Sequence, residues 1–247
     1  MTTDPDTGYL HSVESGAAVD GPGMRFVYFM SGCQFRCLYC HNPDTWKPHA
    51  GRKVSLDEAV AEVAPYAGFL RITGGVTISG GEPLVQAPFV GRLLARLKDE
   101  LGLHTALDTQ GFLHDRVDDA WLAPVDMVLL DIKHSDPEGY RRLTGQALQP
   151  TLDFARRLAE LGKPMRIRHV LVPGLTDGEA DLLRLADFVA GLGPGVERIE
   201  VLPLHHLGAH KWAALGLDYP LADTPVPTPE QMGRAHALLA SRGLAVT

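Results

Sequence analysis

The stretch RFVYFMSGCQFRCLYCHN, residues 25–42, joins an apolar, strand-like run to a loop that carries every cysteine of the chain. The run at 25–30 is typical of a buried strand. The 3 cysteines follow it closely, as Cys33, Cys37 and Cys40. An odd, tightly clustered set is a poor disulfide framework, so the loop indicates a reducing compartment and a metal centre.

Three thiolates on one loop can hold an iron–sulfur cluster. Four irons normally take four thiolates, so three thiolates leave one iron with an open position for substrate. One alternative is a Cys3His zinc site that uses His41, although the adjacent Cys40 and His41 can hardly both reach one tetrahedral ion. The other alternative is three cysteines packed in an apolar core.

Outward from this loop, strand-like and helix-like segments alternate along the chain. Strands are predicted at 25–30, 76–79, 104–108, 127–131, 165–172 and 199–202. Helices are predicted at 55–64, 89–98, 115–122, 151–161, 179–190 and 229–241. Ser55 and Thr228 are the expected N-caps of the first and last helices, and Glu58 completes a capping box with Ser55.

Six strand–helix units imply parallel strands joined by right-handed crossovers. Six units are too few for a closed eight-stranded barrel, so the predicted fold class is α/β, a partial (β/α)6 barrel. A doubly wound sheet is the alternative that the pattern leaves open. We expect one domain over residues 1–247, with 1–10 as a flexible N-terminal segment.

Composition excludes several classes of protein. The chain has 247 residues and a net charge of −7, which argues against a nucleic-acid partner. The polar start lacks the apolar core of a signal peptide, and no run is long enough to span a bilayer. We therefore expect a cytoplasmic protein that binds neither nucleic acid nor membrane.

Polar residues follow the predicted strands at the edge where the carboxyl ends of parallel strands meet. Besides the cysteine loop, these runs are Ser79-Gly80-Gly81-Glu82-Pro83, Asp108-Thr109-Gln110-Gly111, Asp131-Ile132-Lys133, Arg168-His169 and Leu204-His205-His206. This layout predicts a single catalytic site at that edge.

The run after the second strand suits ligand binding. Gly80 and Gly81 let a ligand approach bare backbone, and Glu82 can accept a hydrogen bond from an ammonium group. The alternative is an ordinary turn.

Two carboxylates, Asp108 and Asp131, end neighbouring strands and should repel each other unless a cation lies between them. A bound metal cation or Lys133 could compensate. Lys133 could also pair with a ligand carboxylate. The alternatives are that Asp108 caps the next segment and that Lys133 is a surface lysine.

Histidines cluster at His205, His206 and His210. Neighbouring histidines often indicate metal, but no acidic or thiol partner is close to them in sequence. Hydrogen-bonding or ligand-stacking roles are therefore favoured.

Several short motifs together resemble the pyruvate formate-lyase-activating enzymes, a family of the radical S-adenosylmethionine (SAM) superfamily. The motifs are Asp20-Gly21-Pro22-Gly23, Cys37-Leu38-Tyr39-Cys40-His41-Asn42, Ser79-Gly80-Gly81-Glu82, Leu107-Asp108-Thr109, Leu130-Asp131-Ile132-Lys133 and Gly208-Ala209-His210-Lys211-Trp212. The likeness runs from about His11 to the C-terminus. It implies the radical SAM type of partial barrel.

The resemblance implies that Cys33, Cys37 and Cys40 hold a 4Fe–4S cluster whose open iron is chelated by SAM. Reductive cleavage of SAM then gives a 5′-deoxyadenosyl radical, which removes a hydrogen atom from a glycine of a partner enzyme. The implied partner is pyruvate formate-lyase or a related glycyl radical enzyme. The implied electron donor is a flavodoxin or ferredoxin, and the protein is expected to be a monomer.

The resemblance also assigns roles to residues at the strand ends. Cofactor-binding positions are Tyr39, Cys40, His41, Gly80, Gly81, Glu82, Asp131, Ile132, Lys133 and His205. A monovalent cation such as K⁺ would be held by Asp108, Thr109 and Asp131. Lys133 joins the three cysteines as a catalytic residue, and Asp20 faces the glycine loop of the partner.

Three residues depart from the pattern of the family: Gln110, His206 and Pro83. None belongs to the cysteine motif, so they concern the identity of the partner more than the reaction. Two other functions stay open from the sequence. One is a radical SAM enzyme that acts on a different glycyl radical enzyme or a small molecule, and the other is a zinc-stabilised binding protein.

Overall fold

The computed structural model describes residues 4–247 as an α/β chain. Its strands are β1 (Thr7–Ala17), β2 (Met24–Met30), β3 (Arg52–Ser55), β4 (Gly74–Gly80), β5 (Thr105–Thr109), β6 (Met127–Asp131), β7 (Met165–Leu171) and β8 (Val196–Pro203). They form one 8-stranded sheet in the order β3-β1-β2-β4-β5-β6-β7-β8.

The α-helices follow the strands along most of the chain. They are α1 (Leu56–Val63), α2 (Ala67–Thr73), α3 (Ala87–Asp99), α4 (Asp119–Leu122), α5 (Pro137–Thr144), α6 (Gln149–Glu160), α7 (Glu179–Ala190), α8 (Ala209–Ala214) and α9 (Pro229–Ala240). Across residues 4–247, every helix is too short or too polar to cross a lipid bilayer.

The strand order confirms the predicted fold class. From β2 to β8 the six predicted strands are neighbours in chain order, and the pairs β2–β4, β4–β5 and β7–β8 are parallel. A doubly wound sheet would reverse its strand order at a switch point. The run without reversal is the order of a (β/α) barrel, as the predicted partial (β/α)6 barrel requires.

Two strands were missed because their sequences are polar. β1 and β3 pair antiparallel with each other, and β1 also pairs antiparallel with β2. The predicted flexible segment 1–10 was therefore wrong for Thr7–Leu10, which are paired with β3. Leu10 is almost completely buried, and its burial offsets the entropy lost when this segment is ordered. Residues 1–3 lie outside the described residues.

Capping boxes begin α1 and α9. The Ser55 side chain accepts from the Glu58 amide, and the Glu58 carboxylate accepts from the Ser55 amide. Thr228 and Gln231 make the same reciprocal pair at α9. Both predicted N-caps are confirmed.

The chain forms two compact units. Unit 1 comprises residues up to Gln34, Thr45–Thr109 and Leu113–Leu129, and unit 2 comprises Phe35–Asp44, Gln110–Phe112 and Leu130–Thr247. The prediction of a single domain over residues 1–247 stays a prediction.

The two ends of the strand order differ. In β3, Arg52 and Lys53 are exposed, so two cationic side chains flank that edge. At the other end, the β8 amides of Ile199 and Val201 donate to the carbonyls of Ala245 and Thr247, each at 2.8 Å.

Candidate active site

The cysteine loop carries three cysteines, none of which forms a disulfide. Cys37 is buried, and Cys33 and Cys40 are partly exposed. The Cys40 amide donates to the Cys37 carbonyl at 3.0 Å, which closes a tight turn between these two cysteines. The Arg36 and Leu38 amides donate to carbonyls at the end of α5, so this half of the loop is anchored on unit 2.

In unit 1, the glycine turn after β4 lies directly against the start of the cysteine loop. Gly80 has a φ of +120°, and a Cβ there would lie 2.1 Å from the Met30 amide nitrogen. A Cβ on Gly81 would lie 2.4 Å from the Gly32 carbonyl oxygen and 3.2 Å from the Cys33 Cβ. The sequence predicted that these glycines let a ligand approach the backbone. The structure gives a second reason for them, because a side chain at either position would collide with the main chain of residues 30–32.

Glu82 completes this turn with a buried carboxylate. Its side chain is 0% exposed, and Oε1 accepts hydrogen bonds from the Leu84 amide at 3.0 Å and from Thr109 Oγ1 at 2.6 Å. Pro83 is the first residue of a short 3₁₀ turn, a position that needs no amide donor. The structure thus brings two predicted site residues, Glu82 and Thr109, into contact.

Asp108 is oriented by a residue that the sequence did not single out as a site residue. Ser79 Oγ, on β4, donates to Asp108 Oδ2 at 2.6 Å. The ends of β4 and β5 are therefore joined by two side-chain hydrogen bonds. One links Ser79 to Asp108, and the other links Thr109 to Glu82.

Asp20 lies in the loop before β2, and its carbonyl accepts from Thr77 Oγ1 at 2.6 Å. Arg25, which is fully buried, donates through Nε to the same hydroxyl at 3.0 Å. Thr77 and Ser79 are two residues apart on β4, so their side chains share one face of the sheet. The main chain of Asp20 is therefore held at Thr77, two residues before Ser79 on the same face of β4.

In unit 2, Asp131 and Lys133 form a shielded ion pair. Lys133 Nζ donates to Asp131 Oδ2 at 3.0 Å and lies 5.6 Å from the centre of the Tyr39 ring. Burial alone would lower the pKa of Lys133, which is 8% exposed, but the Asp131 carboxylate raises that pKa well above its ordinary value. The ammonium group is therefore charged at neutral pH, and the surface-lysine interpretation is wrong.

The backbone between these two charges is held by β7. The Ile132 amide donates to the Arg168 carbonyl at 3.0 Å, and His169 Nδ1 lies 2.9 Å from the Ile132 carbonyl oxygen. His169 Nε2 lies 3.3 Å from the Thr176 carbonyl oxygen. The shorter contact favours the tautomer in which Nδ1 donates to Ile132.

The histidine cluster makes ring contacts and hydrogen bonds within the chain. The His41 and His205 rings meet edge to face, with centroids 4.8 Å apart. His206 lies 2.9 Å from the Thr224 carbonyl oxygen, and His210 Nδ1 lies 2.9 Å from the Leu207 carbonyl oxygen. Stacking and hydrogen bonding therefore account for these four rings.

A mononuclear metal site would need several His, Cys, Asp or Glu side chains close together. Within residues 4–247, no three His, Cys, Asp or Glu side chains are grouped so that they could hold one metal ion. A four-iron cluster is larger than one ion, so this finding concerns mononuclear sites.

Known proteins resemble this chain over most of its length. The sequence profile of the radical SAM superfamily matches residues 27–186. The pyruvate formate-lyase-activating enzyme of Staphylococcus aureus is 47% identical in an alignment of 244 positions. The alignment covers 96% of this chain and 96% of that protein. The chain belongs to the pyruvate formate-lyase-activating enzymes, a radical SAM family.

Solved structures agree with this assignment. A domain of a pyruvate-formate lyase-activating enzyme from Bacteroides vulgatus is 28% identical, has a TM-score of 0.59 and covers 70% of this chain and 98% of that domain. A radical SAM methyltransferase from Sphaerobacter thermophilus is 21% identical, with a TM-score of 0.65 over 100% of this chain and 74% of that protein. At that identity the likeness concerns the fold alone.

Membership of this activase family implies a 4Fe–4S cluster and SAM as cofactors. The donor set fits the cluster, because three cysteine thiolates leave one of four irons open. The surroundings also fit an organic cofactor. Among residues 4–247, the buried Tyr39 hydroxyl has no hydrogen-bond partner, and a bound ligand could satisfy such a group.

The supporting residues Thr77, Ser79 and His169 were not assigned a role from sequence. Each is on a strand and contacts a predicted site residue on another segment, 57, 29 and 37 positions away respectively. The sequence offered one indication for Ser79 and His169, which is that both belong to the polar runs at strand ends. Nothing local marks Thr77.

We predict that His169 makes the stability of the fold depend on pH. Burial lowers the pKa of His169 below the ordinary 6.5, and the positive charge of Lys133 also lowers it. The two carbonyl contacts raise this pKa but do not outweigh burial. As pH falls below 6.5, the unfolded chain binds this proton first, so the free energy of unfolding falls. His169→Leu and His169→Gln should both flatten this slope, by up to about 1.4 kcal/mol per pH unit.

Urea unfolding between pH 7 and 5 measures that slope. Glutamine can still donate to Ile132, so His169→Gln should bind SAM more tightly than His169→Leu does. A slope equal to that of the unaltered protein in both variants would contradict the prediction.

Proposed function

We propose that this chain activates pyruvate formate-lyase by making a radical on one of its glycines. The observation that carries the proposal is the loop of three cysteines outside any disulfide, in a chain related to activating enzymes over nearly its full length. When bound, the cluster would supply one electron for the reductive cleavage of SAM, which would lead to removal of a hydrogen atom from the partner's glycine.

The residues of the chain would hold the cofactors in place. Cys33, Cys37 and Cys40 would be the thiolate ligands of the cluster. The turn at Gly80, Gly81 and Glu82 would receive the amino group of SAM. Its shape is supported by two backbone hydrogen bonds, from the Gly81 amide to the Met30 carbonyl and from the Glu82 amide to the Gly32 carbonyl.

In unit 2, Lys133 would pair with the carboxylate of SAM. Its raised pKa keeps the ammonium group charged, which supports this role. Asp131 and the Ile132 backbone would lie beside the same cofactor. Further positions against SAM are proposed for Tyr39, His41 and His205.

The conditions of the reaction are also proposed. A flavodoxin or ferredoxin would donate the electron, and the protein would act as a monomer in the cytoplasm. Three cysteines without a disulfide support a reducing compartment.

The decisive experiment mixes the reconstituted, reduced protein with SAM and pyruvate formate-lyase under anaerobic conditions. A glycyl radical signal in electron paramagnetic resonance (EPR) is expected. Cys37→Ala should abolish both that signal and the formation of 5′-deoxyadenosine, because two thiolates leave the cluster underligated. Cleavage of SAM by the unaltered protein without any radical on pyruvate formate-lyase would point instead to another substrate.

A K⁺ site at Asp108, Thr109 and Asp131 is a further part of the proposal. Thr109 donates its only hydroxyl hydrogen to Glu82, which fixes the direction of its oxygen. Ser79 orients the Asp108 carboxylate in the same unit. Both contacts support oxygen ligands of defined direction.

Asp108→Asn removes one negative charge and should weaken SAM binding by at least roughly fivefold. It should also remove the dependence of SAM cleavage on K⁺, measured in potassium chloride against choline chloride at equal ionic strength. Ser79→Ala is the matched control, since it removes the orienting hydroxyl but keeps the charge. Cleavage by the unaltered protein that is indifferent to K⁺ would rule out this site.

Asp20 is proposed to receive the glycine loop of the partner. The proposal is supported by the position of the Asp20 main chain, which accepts from Thr77, two residues before Ser79 on the same face of β4. A carboxylate can accept hydrogen bonds from the amides of an incoming backbone.

Asp20→Ala should lower the yield of glycyl radical by about tenfold or more. This is the fold-change expected when one hydrogen bond to a charged group is lost. Uncoupled cleavage of SAM, measured without partner, should fall by much less. Asp20→Asn keeps an acceptor oxygen and should recover part of the yield. Equal loss of both activities in Asp20→Ala would argue that Asp20 has no selective role toward the partner.

A further inference from the structure

A short segment late in the chain, residues 205–212, contacts the second half of the cysteine loop. We name it the clasp segment. Trp212 Nε1 donates to the Cys40 carbonyl oxygen at 2.9 Å. Lys211 Nζ donates to Asn42 Oδ1 at 2.7 Å and lies 3.4 Å from a carboxylate oxygen of Asp44. The two side chains therefore hold consecutive stretches of the loop.

The backbone of the clasp segment reaches the residue between these two contacts. A Cβ on Gly208 would lie 2.5 Å from the His41 carbonyl oxygen, so only glycine allows this approach. His205, at the start of the segment, stacks its ring edge to face against that of His41. The loop is thus contacted at Cys40, His41, Asn42 and Asp44.

Trp212 is itself rigidly packed. It is 5% exposed, and its ring lies against that of Tyr219 with centroids 5.5 Å apart. A buried indole provides a large apolar surface and one directed N–H donor. That donor meets the main chain of Cys40, which belongs to no helix or strand.

We propose that Trp212 and Lys211 are positioning residues for the iron–sulfur cluster. By holding the carbonyl of Cys40 and the side chain of Asn42, they keep the Cys40 thiol and the His41 ring in place before the cofactors arrive. Both act through the loop and not on iron or SAM. This inference rests on the proposed role of Cys40 as a cluster ligand.

A pair of matched substitutions tests the inference. Trp212→Phe keeps an aromatic ring but removes the N–H donor to Cys40. Trp121→Phe is the control, because Trp121 Nε1 makes an equivalent bond to the Ala87 carbonyl at 2.7 Å within unit 1. Both proteins are reconstituted anaerobically, and the release of iron to an excess of chelator is followed by absorbance.

The expected result is that Trp212→Phe releases iron roughly fivefold faster than the unaltered protein, the effect of one net hydrogen bond. Trp121→Phe should release iron at the unaltered rate, although both variants lose a similar amount of thermal stability. Equal release from the two variants would overturn the inference. An unaltered protein that assembles no four-iron cluster would overturn the proposed function itself.

Lys211 supplies a second, independent measurement. Lys211→Met keeps the aliphatic stem and removes the ammonium group that holds Asn42. It should weaken SAM binding by roughly fivefold, read from the change that SAM causes in the EPR spectrum of the reduced cluster. Lys211→Arg retains a donor and should restore much of the affinity. Unchanged affinity in Lys211→Met would contradict the role of Lys211.

Discussion

The close approach of two backbones at the ends of β2 and β4 is the constraint on which unit 1 depends. With no side chain at Gly80 or Gly81, the turn hydrogen-bonds to the Met30 and Gly32 carbonyls and lies against Cys33. A methyl group at either glycine would meet main-chain atoms, which cannot move aside without displacing a strand. The same contact positions the first cysteine of the loop and buries the carboxylate of Glu82.

Unit 2 meets a different physical problem, because charged groups are placed where water is largely excluded. Lys133 is held as a cation by Asp131, and the main chain between them is tied to β7 through Ile132. A buried charge without a partner is costly, so removing either member of this pair costs more than the pair contributes to stability. Such an arrangement sets the positions of charges in advance, which electrostatic recognition of a charged cofactor requires.

The sequence was informative where function depends on local spacing. The cysteine loop, the six parallel strands and the polar runs at their ends were all readable, since each signal lies within a few residues. Contacts that depend on register were not readable, such as Ser79 with Asp108 and His169 with Ile132. The helices α5 and α8 span only 8 and 6 residues, too short for a reliable periodic pattern.

The two edges of the sheet bear on how the protein behaves at high concentration. A bare strand edge is a template for pairing with another molecule, which leads to strand exchange and aggregation. Here the β3 edge presents the cationic Arg52 and Lys53, and residues 245–247 pair with β8. Charged side chains at one edge and pairing with the last residues at the other therefore oppose unspecific edge-to-edge pairing.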